Sequence, residues 1–161
     1  MRKPYYQNFY KVQMAMQDVD SNLLIFGPAA SGKCDALEKC IEEYGKNNET
    51  ALLTTKTALL SAAYGIPGIT CISWSPDNKS IKPEWLKKKY DYIIIDGYCE
   101  NWEALLTAFP KTKFIMAVRA TTKGDLSNNL KKAFRVIAKC GFIDKETKIK
   151  GITSVTIFKG V

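Results

Sequence analysis

Seven consecutive residues near the start of the chain have the types and spacing of a phosphate-binding loop. They read Gly27-Pro28-Ala29-Ala30-Ser31-Gly32-Lys33 and match the pattern G-x-x-x-x-G-K. Glycines let backbone N–H groups close around an anion, and a following helix adds the positive end of its dipole. Lys33 would then reach the β- and γ-phosphates of a nucleotide. A simple glycine turn before a helix needs no such lysine, so the pattern predicts nucleotide binding.

The residue after Lys33 departs from this pattern. Ser or Thr is expected there, with a hydroxyl that binds Mg²⁺, whereas this chain has Cys34. A thiol is a soft ligand, and Mg²⁺ prefers hard oxygen ligands. Cys34 therefore occupies the metal-binding position of the motif while putting efficient metal-assisted hydrolysis in question.

A second motif is an apolar run that ends in an acid. Residues 92–96 read Tyr-Ile-Ile-Ile-Asp, which is the form of a buried strand followed by a carboxylate. Asp96 would hold Mg²⁺ directly or through water. The alternative is an Asp that only forms a turn with Gly97. With the glycine loop upstream, we favour the metal role.

The content of histidine and cysteine narrows the chemistry. The chain has no histidine, which excludes Ser-His and Cys-His nucleophile pairs and histidine-bound metals. Its five cysteines are scattered and form no C-x-x-C pair, so neither a disulfide framework nor a zinc site is expected. Lysine, arginine, carboxylates, backbone amides and a bound ion remain, and this set suits phosphoryl transfer.

Length and hydropathy predict a single domain over residues 1–161. A chain of 161 residues suits one compact domain. No apolar run approaches the about 18 residues that a membrane span needs, and the first residues contain no apolar signal core. We expect a cytoplasmic protein with no membrane partner.

The net charge of +8 is unevenly distributed. The first eighty residues balance basic and acidic side chains, so the second half carries the whole excess. Such asymmetry favours a polyanionic partner, above all nucleic acid. Solubility or a lysine-rich composition explains it equally well.

Alternating apolar patterns predict an α/β fold with a mostly parallel sheet. The expected strands are 23–26, 51–54, 69–73, 92–96 and 113–118, and the expected helices are 33–44, 57–63, 83–88, 102–109 and 127–140. Aromatic residues at 5, 6, 9 and 10 favour a further N-terminal helix packed on the sheet. Partial alternation on both sides of Lys150-Gly151 predicts a C-terminal β-hairpin. Ligands of such sheets bind at the carboxyl ends of the strands, where the glycine loop and Asp96 both lie.

The predicted helix 127–140 has a cationic face. Lys131, Arg135 and Lys139 recur every fourth residue, with Lys132 beside them, opposite an apolar stripe. Such a face could bind the phosphates of a nucleic acid. A solvated outer face is the alternative.

Several of these motifs together resemble the N-terminal motor domain of superfamily 1, RecD-like helicases. The resemblance covers residues 9 to about 120. In that family a glutamine before the glycine loop contacts adenine, and Gln13 matches it. Residues 53–70 resemble the single-strand-binding motif, and residues 114–119 lie where the γ-phosphate-sensing strand would be. Asp96 matches the family's Asp-Glu motif, with Gly97 in place of the Glu that orients water.

This resemblance implies a three-layer, RecA-like P-loop NTPase that uses ATP and Mg²⁺. It also implies single-stranded DNA or RNA as a partner. A helicase motor has two RecA-like domains, and this chain is long enough for one. A homo-oligomer or a partner subunit would then supply an arginine to the site. The alternatives are a small viral or phage DNA-packaging or helicase-loader ATPase, a degenerate protein that binds nucleotide without hydrolysis, and, less favoured, a small-molecule kinase.

Overall fold

The computed structural model describes residues 8–160, which contain seven strands and five helices. The strands are β1 (Leu23–Gly27), β2 (Thr50–Leu53), β3 (Ile69–Ile72), β4 (Tyr92–Asp96), β5 (Lys113–Arg119), β6 (Val136–Asp144) and β7 (Ile149–Ile157). The helices are α1 (Phe9–Asp18), α2 (Lys33–Tyr44), α3 (Thr57–Ala63), α4 (Trp102–Ala108) and α5 (Asn128–Ala133). None of the helices in this part of the chain is long and apolar enough to cross a membrane.

All seven strands form one sheet in the order β3-β2-β4-β5-β1-β6-β7. The first six strands are parallel, and β7 runs antiparallel to β6 at one edge. The carboxyl ends of β1 to β6 therefore meet at a single edge of the sheet. The glycine loop follows β1 and Asp96 ends β4, so both motifs lie at this edge.

The core lies on both faces of the sheet. One face carries Phe26, Ile93 and Ile95 and is covered by α4 and α5, through Leu105 and Leu130. The other face is covered by α1, α2 and α3, whose apolar side chains pack on Leu23, Ile25 and Ile94. Alternate residues of each central strand thus enter opposite cores, because successive side chains of a strand point to opposite faces. The predicted three-layer α/β fold is confirmed.

The N-terminal helix is also confirmed. In α1, Phe9 and Val12 are buried against the sheet. Tyr5 and Tyr6, which contributed to that prediction, lie outside the described residues. The predicted helix 83–88 is wrong in extent, because the structure has only a short 3-10 turn at Pro83–Trp85.

The predicted helix 127–140 is wrong in its second half. The α-helix ends at Ala133, and residues from Val136 onward form β6 beside β1. Val136, Ile137 and Ala138 are all buried between β1 and β7. Their backbone groups complete the hydrogen bonding of β1, and this tertiary pairing outweighs the helical pattern of the local sequence.

The C-terminal hairpin is confirmed as an element, but its turn was misplaced. The chain reverses at residues 145–148, where Lys148 has φ +58°, and not at Lys150-Gly151. Lys150 and Gly151 belong to the first part of β7. Because β7 starts at the carboxyl edge of the parallel strands, this part of the hairpin lies beside the glycine loop.

Candidate functional site

The glycine loop (residues 27–34) makes a tight turn between β1 and α2. A Cβ built on Gly27 would lie 2.4 Å from Ser31 Oγ and 2.8 Å from the carbonyl oxygen of Cys140. Gly32 has φ +95° and precedes the first residue of α2. A left-handed backbone and these close approaches both require glycine. The loop therefore presents its backbone at the N-terminus of a twelve-residue helix, where anions are stabilised.

The side chain of Lys33 is folded back over this loop. Its Nζ donates to the carbonyl oxygen of Gly27 at 3.0 Å and to that of Pro28 at 2.6 Å. Burial lowers the pKa of Lys33, and the nearby cations Lys56 and Arg119 lower it further, while Cys140 and Asp96 act the other way. The charged ammonium thus lacks a full set of anionic partners in the site.

Ser31 adds a second unsatisfied group to the loop. Its Oγ is buried and makes no hydrogen bond. Buried hydroxyls are normally hydrogen-bonded, so an unpaired one indicates a missing partner. Together with Lys33, this hydroxyl fits a loop built to hold an anion.

Asp96 lies across the edge from the loop, with only β5 between β4 and β1. Its Oδ2 accepts a hydrogen bond from Thr54 Oγ1 at 2.8 Å, and its Oδ1 lies 3.3 Å from Lys56 Nζ. The Asp96 side chain is 10% exposed, whereas that of Lys56 is 54% exposed. The carboxylate therefore faces the site but is held by two side chains from the segment that follows β2.

Thr54 and Lys56 were not predicted as carboxylate partners. Sequence analysis placed residues 53–70 in a nucleic-acid motif by resemblance. Only the strand order would have indicated these partners, because β2 pairs directly with β4 and their carboxyl ends must meet. That neighbour relation is fixed only by the strand order.

Two cavities adjoin at this edge. One of about 280 Å³ is lined by residues of the glycine loop together with Asp35, Lys56 and Lys150. The other, of about 570 Å³, extends past Asp96 and Gly97 to Tyr98 and Arg119. Lys33 and Lys56 line both. Cations thus outnumber carboxylates around the combined space, which suits a multiply charged anion.

Cys34 does not fit the role of a Mg²⁺ ligand. Burial raises the pKa of its thiol, so the group is protonated at neutral pH. A neutral thiol offers no hard oxygen to the ion. Within residues 8–160 no three His, Cys, Asp or Glu side chains cluster as a metal site. Asp96 supplies an oxygen donor of the right type, so a metal here would depend on Asp96, phosphate oxygens and water.

Gln13 is not brought to the glycine loop. It lies on α1, and its amide Nε2 donates to Glu43 Oε2 at 3.2 Å. Glu43 is in the last turn of α2, about 15 Å along the helix axis from Lys33 at 1.5 Å per residue. The predicted adenine contact therefore has no support from its position.

The predicted cationic face is divided between elements. Lys131 and Lys132 are on α5, Arg135 follows that helix, and Lys139 is on β6. Lys131 Nζ lies 5.2 Å from the centre of the Phe158 ring, and Arg135 Nε donates to the Phe158 carbonyl oxygen at 3.1 Å. These contacts are beside the start of β1, whereas Lys139 pairs with Phe26 near the end of β1. The four residues do not form one helical face, because the helix that would align them ends at Ala133.

Searches for relatives by sequence found no matching family model and no matching curated protein. Solved structures do match. The VirB11 ATPase of the Brucella suis type IV secretion system, in complex with sulphate, superposes with a TM-score of 0.62 at 11% identity, over 97% of this chain and 56% of that one. The Legionella pneumophila ATPase DotB gives 0.59 at 12% identity, over 86% and 46%. The flagellar accessory protein FlaH of Methanocaldococcus jannaschii gives 0.53 at 12%, over 83% and 78%.

These similarities define the class of fold. The chain has the mostly parallel α/β fold of RecA-like P-loop ATPases and spans about half the length of VirB11. At such low identity the likeness concerns the fold alone. The resemblance to RecD-like helicases stays a prediction.

Proposed function

We propose that this chain binds ATP, with the triphosphate in the glycine loop and Lys33 on the β- and γ-phosphates. The observation that carries the proposal is the state of Lys33, whose ammonium is bonded to two carbonyls of its own loop. A phosphate would give this cation an acceptor of opposite charge, which the carbonyl oxygens of its own loop do not supply. The unpaired Ser31 hydroxyl and the N-terminus of α2 support the same ligand.

Asp96 would hold the Mg²⁺ that accompanies the nucleotide. The ion would supply charge neutralisation on the phosphates when bound. Lys56 would have to leave the carboxylate for this to occur, since its Nζ now lies beside Oδ1. Thr54 would keep the other carboxylate oxygen oriented through its hydrogen bond.

We further propose that hydrolysis by the isolated chain is slow. Asp96 is the carboxylate among the residues that line the larger cavity, and no second one is there to orient water. Glu100 and Glu103, the acidic residues that follow Gly97 along the chain, are exposed and do not line it. Gly97, which stands where a Glu is expected, has its Cα packed against the ring of Pro76. A nucleotide-binding protein with weak turnover is the function that this geometry supports best.

A nucleic-acid partner is the second candidate function, as a helicase-like subunit or as a packaging or loader ATPase. Its support is the net charge of +8, whose excess lies in the second half of the chain. The predicted helical face does not add to this support, because Lys131 is on α5, Arg135 follows that helix and Lys139 is on β6. This second candidate function includes a homo-oligomer or a partner subunit that supplies an arginine to the site.

The test is nucleotide affinity measured by calorimetry, together with turnover at low salt, with and without single-stranded DNA or RNA. We expect the wild-type chain to bind ATP, and Lys33→Ala to lose at least about tenfold in affinity, as for loss of a charge-assisted contact. Lys88→Ala is the matched control. Lys88 is exposed and precedes β4, so it lies at the amino ends of the parallel strands, away from the glycine loop. Equal ATP affinity of wild type and Lys33→Ala would refute the proposal. Turnover that rises with single strands and is lost in Lys33→Ala would establish a motor subunit.

A further inference from the structure

Lys56 occupies a position that the glycine-loop motif does not account for. It lies at the N-terminus of α3, directly after β2, and its side chain lines both the loop cavity and the larger cavity. Lys33 is the other cation common to the two cavities. Lys56 is close enough to Lys33 and Cys34 to affect the pKa of each. It therefore stands at the junction of the phosphate loop and the space in front of Asp96.

The backbone of Lys56 is held independently of its ammonium group. The amide N–H of Lys56 donates to Thr54 Oγ1 at 3.0 Å, and this hydroxyl donates to Asp96 Oδ2 at 2.8 Å. The chain of hydrogen bonds fixes the start of the Lys56 side chain beside the carboxylate. The Lys56 side chain is 54% exposed, and within residues 8–160 its Nζ has one ionic partner, Asp96. Lys56 can thus change partners by side-chain rotation, without movement of the backbone.

The geometry points to Lys56 as the residue that distinguishes a triphosphate from a diphosphate in this site. In the nucleotide-free chain its ammonium pairs with Asp96. When a γ-phosphate lies between the glycine loop and Asp96, the ammonium turns to that phosphate and leaves the carboxylate available to a cation. This inference rests on the proposed binding of ATP and adds a residue from the segment after β2 to the loop's own ligands.

Electrostatics favour this exchange of partners. A γ-phosphate carries more negative charge than the Asp96 carboxylate and would lie among Lys33, Lys56 and Arg119. Asp96 is itself repelled by the phosphate unless a metal neutralises it. A diphosphate ends short of this junction, so Lys56 would stay on Asp96. The loss of Lys56 should therefore affect ATP and leave ADP nearly unchanged.

The test compares ATP and ADP affinities by calorimetry in EDTA and in Mg²⁺. The variants are Lys56→Ala, Lys56→Arg and Lys33→Ala, with Lys88→Ala as the surface control. In EDTA we expect Lys56→Ala to weaken ATP binding about tenfold or more and ADP binding less than about twofold, as for removal of one charged contact. Lys56→Arg should keep most of the preference for ATP over ADP. Mg²⁺ bound to Asp96 should reduce the loss of ATP affinity in Lys56→Ala, because the ion screens the carboxylate from the γ-phosphate.

The outcomes separate this inference from the proposed function. Equal losses for ATP and ADP in Lys56→Ala, or no loss for either, would overturn the role of Lys56 while binding by the wild type stands. A wild-type chain that binds neither nucleotide would overturn the proposed function, and the inference with it. Because the Lys56 side chain is half exposed and Asp96 keeps its hydrogen bond from Thr54, Lys56→Ala should fold normally, and a thermal melt checks this.

Discussion

Gly97 shows how a single residue sets the limits of this site. It has φ +132°, and a Cβ built on it would lie 2.1 Å from Pro76 Cγ and 3.4 Å from Pro76 Cβ. Any side chain here must overcome both an unfavourable backbone conformation and the proline ring. A Glu cannot be restored at this position by simple substitution, so the packing around the end of β4 supports the proposed weak hydrolysis.

We predict that Gly97→Ala destabilises the fold more than Gly65→Ala does. Gly65 has φ +85° with no atom near the built Cβ, so its substitution reports backbone strain alone, about 1–3 kcal/mol. Gly97→Ala should cost at least about 1 kcal/mol more, because it also clashes with Pro76. Urea unfolding of both variants measures the difference.

The Pro76→Ala background provides the control for this comparison. It removes the ring atoms that cause the clash and leaves Cβ at ordinary contact distance. There Gly97→Ala should cost about as much as Gly65→Ala. An unchanged difference between the two glycines in that background would contradict the steric explanation.

At the residue scale, the sequence predicted the groups whose role depends on local pattern. The glycine loop and Asp96 could be found because each follows an apolar strand of recognisable form. Lys56 and Thr54 could not, since their contact with Asp96 depends on β2 and β4 being neighbours in the sheet. Gln13 was assigned by resemblance, and α1 instead places it at the far end of α2.

At the scale of elements, the hairpin of β6 and β7 is the unexpected support of the glycine loop. A Cβ built on Gly32 would lie 2.8 Å from the backbone N of Gly151 and 3.0 Å from the carbonyl carbon of Lys150. Backbone atoms cannot move aside as a side chain can. The hairpin thus fixes the loop from one side while α2 continues from the other.

We predict that Gly32→Ala impairs nucleotide binding by displacing the loop from the hairpin. Strain at φ +95° costs about 1–3 kcal/mol, and the contact with β7 adds to it. ATP affinity should fall at least about tenfold, with a lower melting temperature. Gly124→Ala is the control, because its built Cβ meets only Thr122 Oγ1 at 3.5 Å. Unaltered affinity in Gly32→Ala would show that the hairpin does not position the loop.

The same hairpin explains where sequence reasoning about elements failed. The strands β1 to β5 were predicted because runs such as residues 93–95 are apolar throughout. Residues 136–140 continue the helical spacing of Leu126, Leu130 and Phe134, and that spacing favoured one long helix. The open edge of β1 gave these residues a strand partner, which local periodicity cannot reveal. The predicted basic face of this helix does not form, because the helix ends at Ala133.

At the scale of the whole molecule, the candidate site lies at an edge of the sheet, and the groups that hold the layers together are buried in the core. The cavities lie at one edge, whereas Cys40 of α2 and Cys140 of β6 are fully buried in the core beneath the glycine loop. Burial raises the pKa of both thiols, to about 12 for Cys140. Charge interactions with Cys140 and Glu43 raise the pKa of Cys40 further, whereas Lys33 acts to lower the pKa of Cys140. Burial likewise raises the pKa of Tyr44 on the same face.

These raised pKa values make the fold sensitive to alkali. The ordinary pKa of a thiol is 9.0. Above this pH the thiols of an unfolded chain release protons that the folded chain retains. The stabilisation is therefore complete below pH 9 and is lost as the pH rises towards the folded pKa of about 12. Each thiol that ionises only on unfolding lowers the free energy of unfolding by roughly 1 kcal/mol per pH unit in this range.

Urea unfolding at pH 7.5, 9 and 10.5 measures this effect, with variants to assign it. The double variant Cys40→Ala/Cys140→Ala should be less stable at pH 7.5, because it leaves small cavities, yet should lose less stability as the pH rises. Partial burial also raises the pKa of Cys71, but this residue is exposed on the edge strand β3, so Cys71→Ala should change the slope less than the double variant does. Equal slopes in all three proteins would mean that the core thiols do not control alkaline stability. The remaining slope in the double variant would then report the other groups whose pKa burial raises, among them Tyr44, Tyr92 and Cys99.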